Sequence, residues 1–171
     1  HSFMLIRHGK VVAESWWNPY RSDLKHTLYS VSKSFTAMAI GFAVSEQKLT
    51  VNDKVISFFP DDVPVPISPY LAELRVKDLL SMSVGHAKEN FAMVVNDNWV
   101  EEFLSTPIAN QPGTKFLYNS PATYMLSAIV QKLTSQTLLQ YLRPRLFDPL
   151  GIGEATWESC PRGINTGGYG L

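Results

Sequence analysis

The sequence predicts a mixed α/β fold of the α+β type, with an antiparallel sheet opened by an N-terminal hairpin and joined to a larger helical region. Three observations carry that expectation. Two β-prone runs at residues 3–7 and 11–17 flank a His8-Gly9-Lys10 turn. An almost wholly apolar stretch at 28–44 has helical length. Apolar residues recur at three- and four-residue steps through 98–105 and 121–133. With 171 residues and a 45% hydrophobic composition, the chain can bury a substantial core and reads as one domain, or most of one, over 1–171.

The hairpin comes first, and entry into a strand at residue 3 without an initiator methionine suggests that something upstream was removed. Trp16, Trp17 and Tyr20 read as packing residues rather than a ligand-stacking platform. A polar connector at 18–26 leads to the stretch 28–44. Its opening residues Ser30, Ser32, Lys33 and Ser34 supply hydroxyls for the orphan N–H groups of a helix start. The remainder, including Phe35, Met38, Ile40, Phe42 and Val44, is apolar on nearly every side, the pattern of a helix buried in a domain's middle.

A polar break at 46–53 and a short apolar turn at 55–59 follow, and the density of Pro64, Pro66 and Pro69 makes 61–69 a surface loop. Residues 75–82 read as a short helix running into Ser83-Val84-Gly85-His86, where Gly85 supplies a backbone angle closed to other residues. The helix at 98–105 stops before Pro107, and the one at 121–133 is amphipathic. A last helix at 138–147 is interrupted at Pro144, and 162–171 closes the chain as a glycine-rich loop.

Composition excludes several classes of function. The formal net charge is +0 with charges of both signs mixed, so no basic patch points to nucleic acid. No apolar run approaches the ~20 residues of a membrane span. The single cysteine, Cys160, forbids an internal disulfide, and no His-x-x-x-His or similar metal spacing occurs. His86 reads as a structural or rim residue.

Chemistry enters at Ser30 and Lys33, which stand three residues apart and therefore on one face of a helix. A serine hydroxyl is a poor nucleophile until a base takes its proton, and a neutral lysine one turn away can do so. Backbone N–H groups at the same terminus can help to stabilise an oxyanion. Two further Ser-x-x-Lys pairs occur. Ser22 with Lys25 lies in a connector that no apolar helix follows directly, and Ser45 with Lys48 closes the apolar stretch, where a cation complements the helix dipole. Only Ser30 stands at the start of a buried helix.

Three segments in order, S-V-S-K at 30–33, L-L-S-M-S-V-G-H at 79–86 and F-L-Y-N-S-P-A-T-Y at 116–124, resemble the serine β-lactamase and penicillin-binding-protein superfamily, especially its class C-like branch. The resemblance covers most of the chain. It implies a β-lactamase/transpeptidase-like fold, an acyl-enzyme formed on Ser30, Lys33 as its proton partner, and Tyr118 as the tyrosine that shuttles a proton between nucleophile and leaving group. It implies substrate-binding roles for Ser120 and Asn119. The family's Tyr-x-Asn element has Ser120 in its third position here, with the asparagine one place earlier at Asn119. That departure favours an esterase- or peptidase-like relative over efficient β-lactam turnover.

The substrate so implied is a small-molecule or peptide-like acyl compound, cleaved at an amide or ester without metal or cofactor. A non-hydrolytic penicillin-binding or sensor domain of the same fold is the alternative. Secretion to a bacterial periplasm or exterior follows from the resemblance alone. Asn165-Thr166-Gly167 lacks the cation of the family's third motif and follows the tyrosine element too soon. The expectation is therefore an N-terminal part of the domain, with the third motif and second oxyanion donor beyond residue 171.

Overall fold

The computed structural model describes residues 1–171 apart from Ala92. The hairpin forms as expected: β1 (Ser2–Arg7) pairs antiparallel with β2 (Lys10–Trp16). His8 (φ 49°) and Gly9 (φ 72°) both take positive φ, the two-residue turn whose twist suits a hairpin. A register shift between Leu5 and Ile6 puts a bulge in the ladder. Both strands are exposed over nearly their whole length.

The helices are α1 (Ser32–Ser45), α2 (Pro69–Glu73), α3 (Val76–Leu80), α4 (Trp99–Ser105), α5 (Ser120–Thr134) and α6 (Leu138–Leu142). A 3₁₀ turn, Tyr29–Val31, leads into α1, so Ser30 precedes the α-helix proper. A single π-turn, Arg143–Phe147, carries Pro144 where the interruption was expected. Helix α2 lies outside the expected elements. Pro69 opens it at a position where a missing N–H costs nothing, and the Ser68 hydroxyl accepts from Leu71 N at 3.2 Å.

The central helix is α5 rather than α1. Every residue from Ser120 to Val130 is buried, including the hydroxyl-bearing Ser120, Thr123 and Ser127. Helix α1 buries one face, Ser32, Thr36, Ala39, Ile40 and Ala43, while Met38 and Val44 face outward. Small hydroxyl side chains count as polar in a sequence, yet they pack inside when a carbonyl oxygen accepts their O–H. The Ser127 hydroxyl donates to Asn165 O at 2.6 Å. Full burial of Met125, Ile129 and Val130 contributes roughly 1.5–3 kcal/mol each.

Helices α1, α3, α4 and α6 all pack on α5. Trp99 of α4 meets Tyr124 of α5 at 5.2 Å between ring centroids, and the Tyr124 hydroxyl lies 3.4 Å from the buried Cys160 Sγ. The segment 157–171 folds back as a loop tied by Thr166 N to Glu158 O (2.9 Å) and Glu158 N to Gly170 O (3.0 Å). It reaches the start of α1, where Leu28 N donates to Leu171 O at 2.9 Å. Among the described residues no helix is long and apolar enough to cross a membrane.

Candidate active site

Helices α1 and α5 begin side by side, and the candidate site lies at their N-terminal ends. Ser30 is exposed in the turn before α1, and Tyr29 immediately ahead of it holds φ at +46°. That left-handed angle is costly for a residue with a side chain, and it sits beside the expected nucleophile. Lys33 follows in the first turn of α1 and is half-buried.

Lys33 Nζ has three acceptors within reach, Ser30 Oγ at 3.2 Å, Ser120 Oγ at 3.2 Å and the Gly168 carbonyl oxygen at 2.7 Å. An ammonium uses all three N–H donors on them. A neutral amine has two N–H bonds and one lone pair. Because a carbonyl oxygen only accepts, an N–H keeps facing Gly168, and the lone pair is left to one of the two hydroxyls. The geometry therefore aims a base at Ser30 or Ser120.

Tyr118 precedes the cap of α5, and its ring lies over Lys33 Nζ at 4.8 Å from the centroid. A hydrogen bond with the Ser30 hydroxyl, helped by the Lys33 cation, holds the Tyr118 phenol below its ordinary value of 10 against the opposing effect of burial. A phenol so biased gives up its proton more readily than a free tyrosine.

The two expected substrate-binding residues part ways. Ser120, the first residue of α5, faces Lys33. Asn119 is 1% exposed, and its Oδ1 caps α5 by accepting from Ala122 N at 3.0 Å. That bond turns its amide nitrogen onto His86 Nδ1 at 3.1 Å, away from Lys33 and Tyr118. Nδ1 accordingly accepts, and the proton of the neutral ring is on Nε2, which has no hydrogen-bond partner among the described residues. His86 stands edge-on to Phe103 at 5.1 Å, and burial pushes its pKa down to about 4. It lies in the interior rather than on a rim.

Three contributors escaped the sequence reading. The Thr36 hydroxyl donates to Gly167 O at 2.8 Å and so anchors the loop that delivers the Gly168 carbonyl to Lys33. A Cβ on Gly168 would come within 3.2 Å of Ser120 Cβ and Ser120 O, so the double glycine is what permits this approach. The third is Glu89, whose Oε1 accepts from Ser120 N at 2.5 Å and whose negative charge acts on Tyr118. A Gly-Gly pair signals a close backbone approach in sequence, but it does not say to what. Glu89 lies in an aperiodic loop with no local signal.

The family model described as Beta-lactamase matches residues 2–170. A "Putative D-alanyl-D-alanine carboxypeptidase" of Salmonella schwarzengrund (strain CVM19633) is 26% identical, over 95% of this chain and 44% of that protein. The one from Salmonella agona (strain SL483) is also 26% identical, over 81% of this chain and 36% of that protein. The chain thus spans less than half the length of the curated relatives it matches.

Among solved structures, the "Putative 6-aminohexanoate-dimer hydrolase from Bacillus anthracis" superposes with a TM-score of 0.81 at 18% identity, covering 99% of this chain and 49% of that one. A beta-lactamase/D-alanine carboxypeptidase from Yersinia pestis gives 0.68 at 16%, covering 84% and 48%. At these identities the likeness establishes the fold, which is the β-lactamase/transpeptidase-like arrangement of helices with antiparallel sheet.

Proposed function

The chain belongs to the Beta-lactamase family, and from that premise we propose that it carries the acylation centre of a serine hydrolase cleaving an amide or ester through an acyl-enzyme on Ser30. The observation that carries this reading is Lys33 Nζ held 3.2 Å from Ser30 Oγ, with the Tyr118 ring over it.

In acylation, Ser30 gives its hydroxyl proton to neutral Lys33 as Oγ bonds to the substrate carbonyl carbon. N–H groups at the start of α1 help to stabilise the oxyanion. The lysine proton then passes by way of the Tyr118 phenol to the leaving group as its bond to the carbonyl carbon breaks. In deacylation a water gives up its proton through the same pair, attacks the ester, and Ser30 Oγ leaves with a proton. The role of Gly168 is to keep one N–H of Lys33 occupied so that the lone pair stays on the hydroxyl side. The shape of the substrate-binding element, with Ser120 rather than an amide facing Lys33, supports simple esters or peptides over β-lactams as the substrates that turn over.

The test is intact-mass spectrometry of the full-length protein after exposure to an activated ester, a penicillin and a fluorophosphonate, with peptide mapping. The expected result is one adduct per chain on the peptide containing Ser30. The ester adduct decays with time, and all adducts are absent from Ser30→Ala. Turnover by Ser30→Ala equal to that of the parent protein would overturn the assignment.

A further inference from the structure

We propose that Ser32 is a positioning residue for the nucleophile: its buried hydroxyl, together with the backbone of Leu171, clamps the turn that carries Ser30. The proposal rests on the hydrolase reading above and adds a residue to the same site.

Ser32 stands at the head of α1 with its side chain fully buried, but it does not cap that helix, whose N-cap position belongs to Val31 and has no side-chain hydrogen bond. A buried hydroxyl needs a partner. The partner is 139 positions away in sequence: Leu171 N donates to Ser32 Oγ at 3.3 Å. The carbonyl oxygen of the same Leu171 accepts from Leu28 N at 2.9 Å. One residue therefore pairs with the chain on both sides of Tyr29-Ser30-Val31 and closes that turn into a ring.

The ring accounts for the backbone inside it. Tyr29 holds φ at +46° although its side chain is 68% exposed, so packing of the ring does not impose the angle. A left-handed angle at such a residue persists where the surrounding bonds over-determine it. Those bonds are Leu28 N to Leu171 O, Leu171 N to Ser32 Oγ, and Val31 N to Leu28 O at 3.0 Å. What the turn delivers is Ser30, whose hydroxyl meets Lys33 Nζ at 3.2 Å and the Tyr118 phenol. The segment 167–171 thus serves both partners of the proton transfer. Gly168 at one end holds the lysine, and Leu171 at the other, through Ser32, holds the serine.

The test follows p-nitrophenyl acetate hydrolysis, the Tyr118 titration midpoint and the urea midpoint in the full-length protein. Ser32→Ala removes the acceptor of Leu171 N, and kcat is expected to fall about ten- to a hundredfold with little change in KM, the signature of a misdirected nucleophile. The Tyr118 midpoint is expected to rise in the same variant, because Ser30 leaves the phenol. Tyr29→Gly added to Ser32→Ala should recover part of kcat, since glycine holds a left-handed angle without the clamp. A merely structural role would lower the urea midpoint alone and gain nothing from the glycine. If Ser32→Ala fails to fold, Ser32→Cys, which keeps the shape but accepts weakly, must show the same fall in kcat and rise in midpoint. A folded variant that keeps the parent kcat or the parent Tyr118 midpoint, or a double variant no more active than Ser32→Ala, overturns the assignment of Ser32 alone. No turnover by the parent protein overturns the hydrolase reading and this inference with it.

Discussion

Lys33 Nζ donates to the Gly168 carbonyl at 2.7 Å across 135 positions of sequence, the shortest of the three contacts that hold the amine. In the proposed mechanism the loop of Gly167 and Gly168 thereby serves proton transfer, although it contributes no side chain. Gly167→Ala and Gly168→Ala separate its two duties. Gly167 has φ +69° and a Cβ there would lie 2.8 Å from Thr123 O, so its alanine variant loses stability, by about 1–2 kcal/mol or more. Gly168→Ala presses on Ser120 at 3.2 Å and on Lys33 Nζ at 3.5 Å, and should cost about tenfold or more in kcat with a smaller loss in urea midpoint.

Thr36→Val removes the buried donor to Gly167 O while keeping shape. The carbonyl is then left without that donor, at a cost of about 1–3 kcal/mol by urea unfolding, and Thr36→Ser restores most of it. If the loop positions Lys33, kcat falls in Thr36→Val and recovers in Thr36→Ser.

The Tyr118 phenol is held below 10 by the Ser30 hydroxyl and the Lys33 cation, and Glu89 acts in the opposite direction. Difference titration at 295 nm between the parent protein and Tyr118→Phe should therefore show one tyrosine with a midpoint below 10. Ser30→Ala removes the hydrogen bond that does most to lower it and should raise the midpoint. Glu89→Gln removes a repulsive charge and should lower it.

His86 gives a pH dependence of stability. Its folded pKa of about 4 lies below the ordinary 6.5, so between these values the unfolded chain takes up a proton that the folded chain refuses. Its contribution is fully present above pH 6.5, declines as pH falls through that window, and has lost about 3 kcal/mol once pH is below 4. Urea midpoints from pH 7 to 4 should fall less steeply in His86→Gln than in the parent protein.

Asn119→Ala and Ser120→Ala distinguish the two residues of the shifted element. Asn119→Ala should lower stability by about 0.5–2 kcal/mol through the lost cap of α5. Ser120→Ala takes a hydroxyl from Lys33, and the larger fall in kcat belongs to it.

Much of this was legible from local pattern. The hairpin announces itself through Gly9 between two β-prone runs, and Ser30 with Lys33 through a three-residue spacing at the head of an apolar stretch. The rest is tertiary. An apolar composition on nearly every side made α1 the expected buried helix, whereas α5 holds the centre because Ser120, Thr123 and Ser127 behave as small core residues once their surroundings accept them. Proline density hid α2, since Pro69 is tolerated at a first helical position. Asn119 reads equally well as a ligand-gripping amide or a helix cap, and only its contact with His86, 33 positions away, separates the two. Glu89 and Gly168 act through contacts with Ser120 and Lys33 that no local period encodes.

Ser30 leads directly into α1, and Tyr118 stands one residue before the cap of α5, two helices that pack on each other in the interior. Ser30 and Tyr118, themselves exposed, are thus joined directly to two helices of the core. If the proposed site holds its geometry through these two helices, it is lost on heating when they are. Loss of acyl transfer and loss of far-UV ellipticity should follow a single curve, and brief cooling that restores one should restore the other.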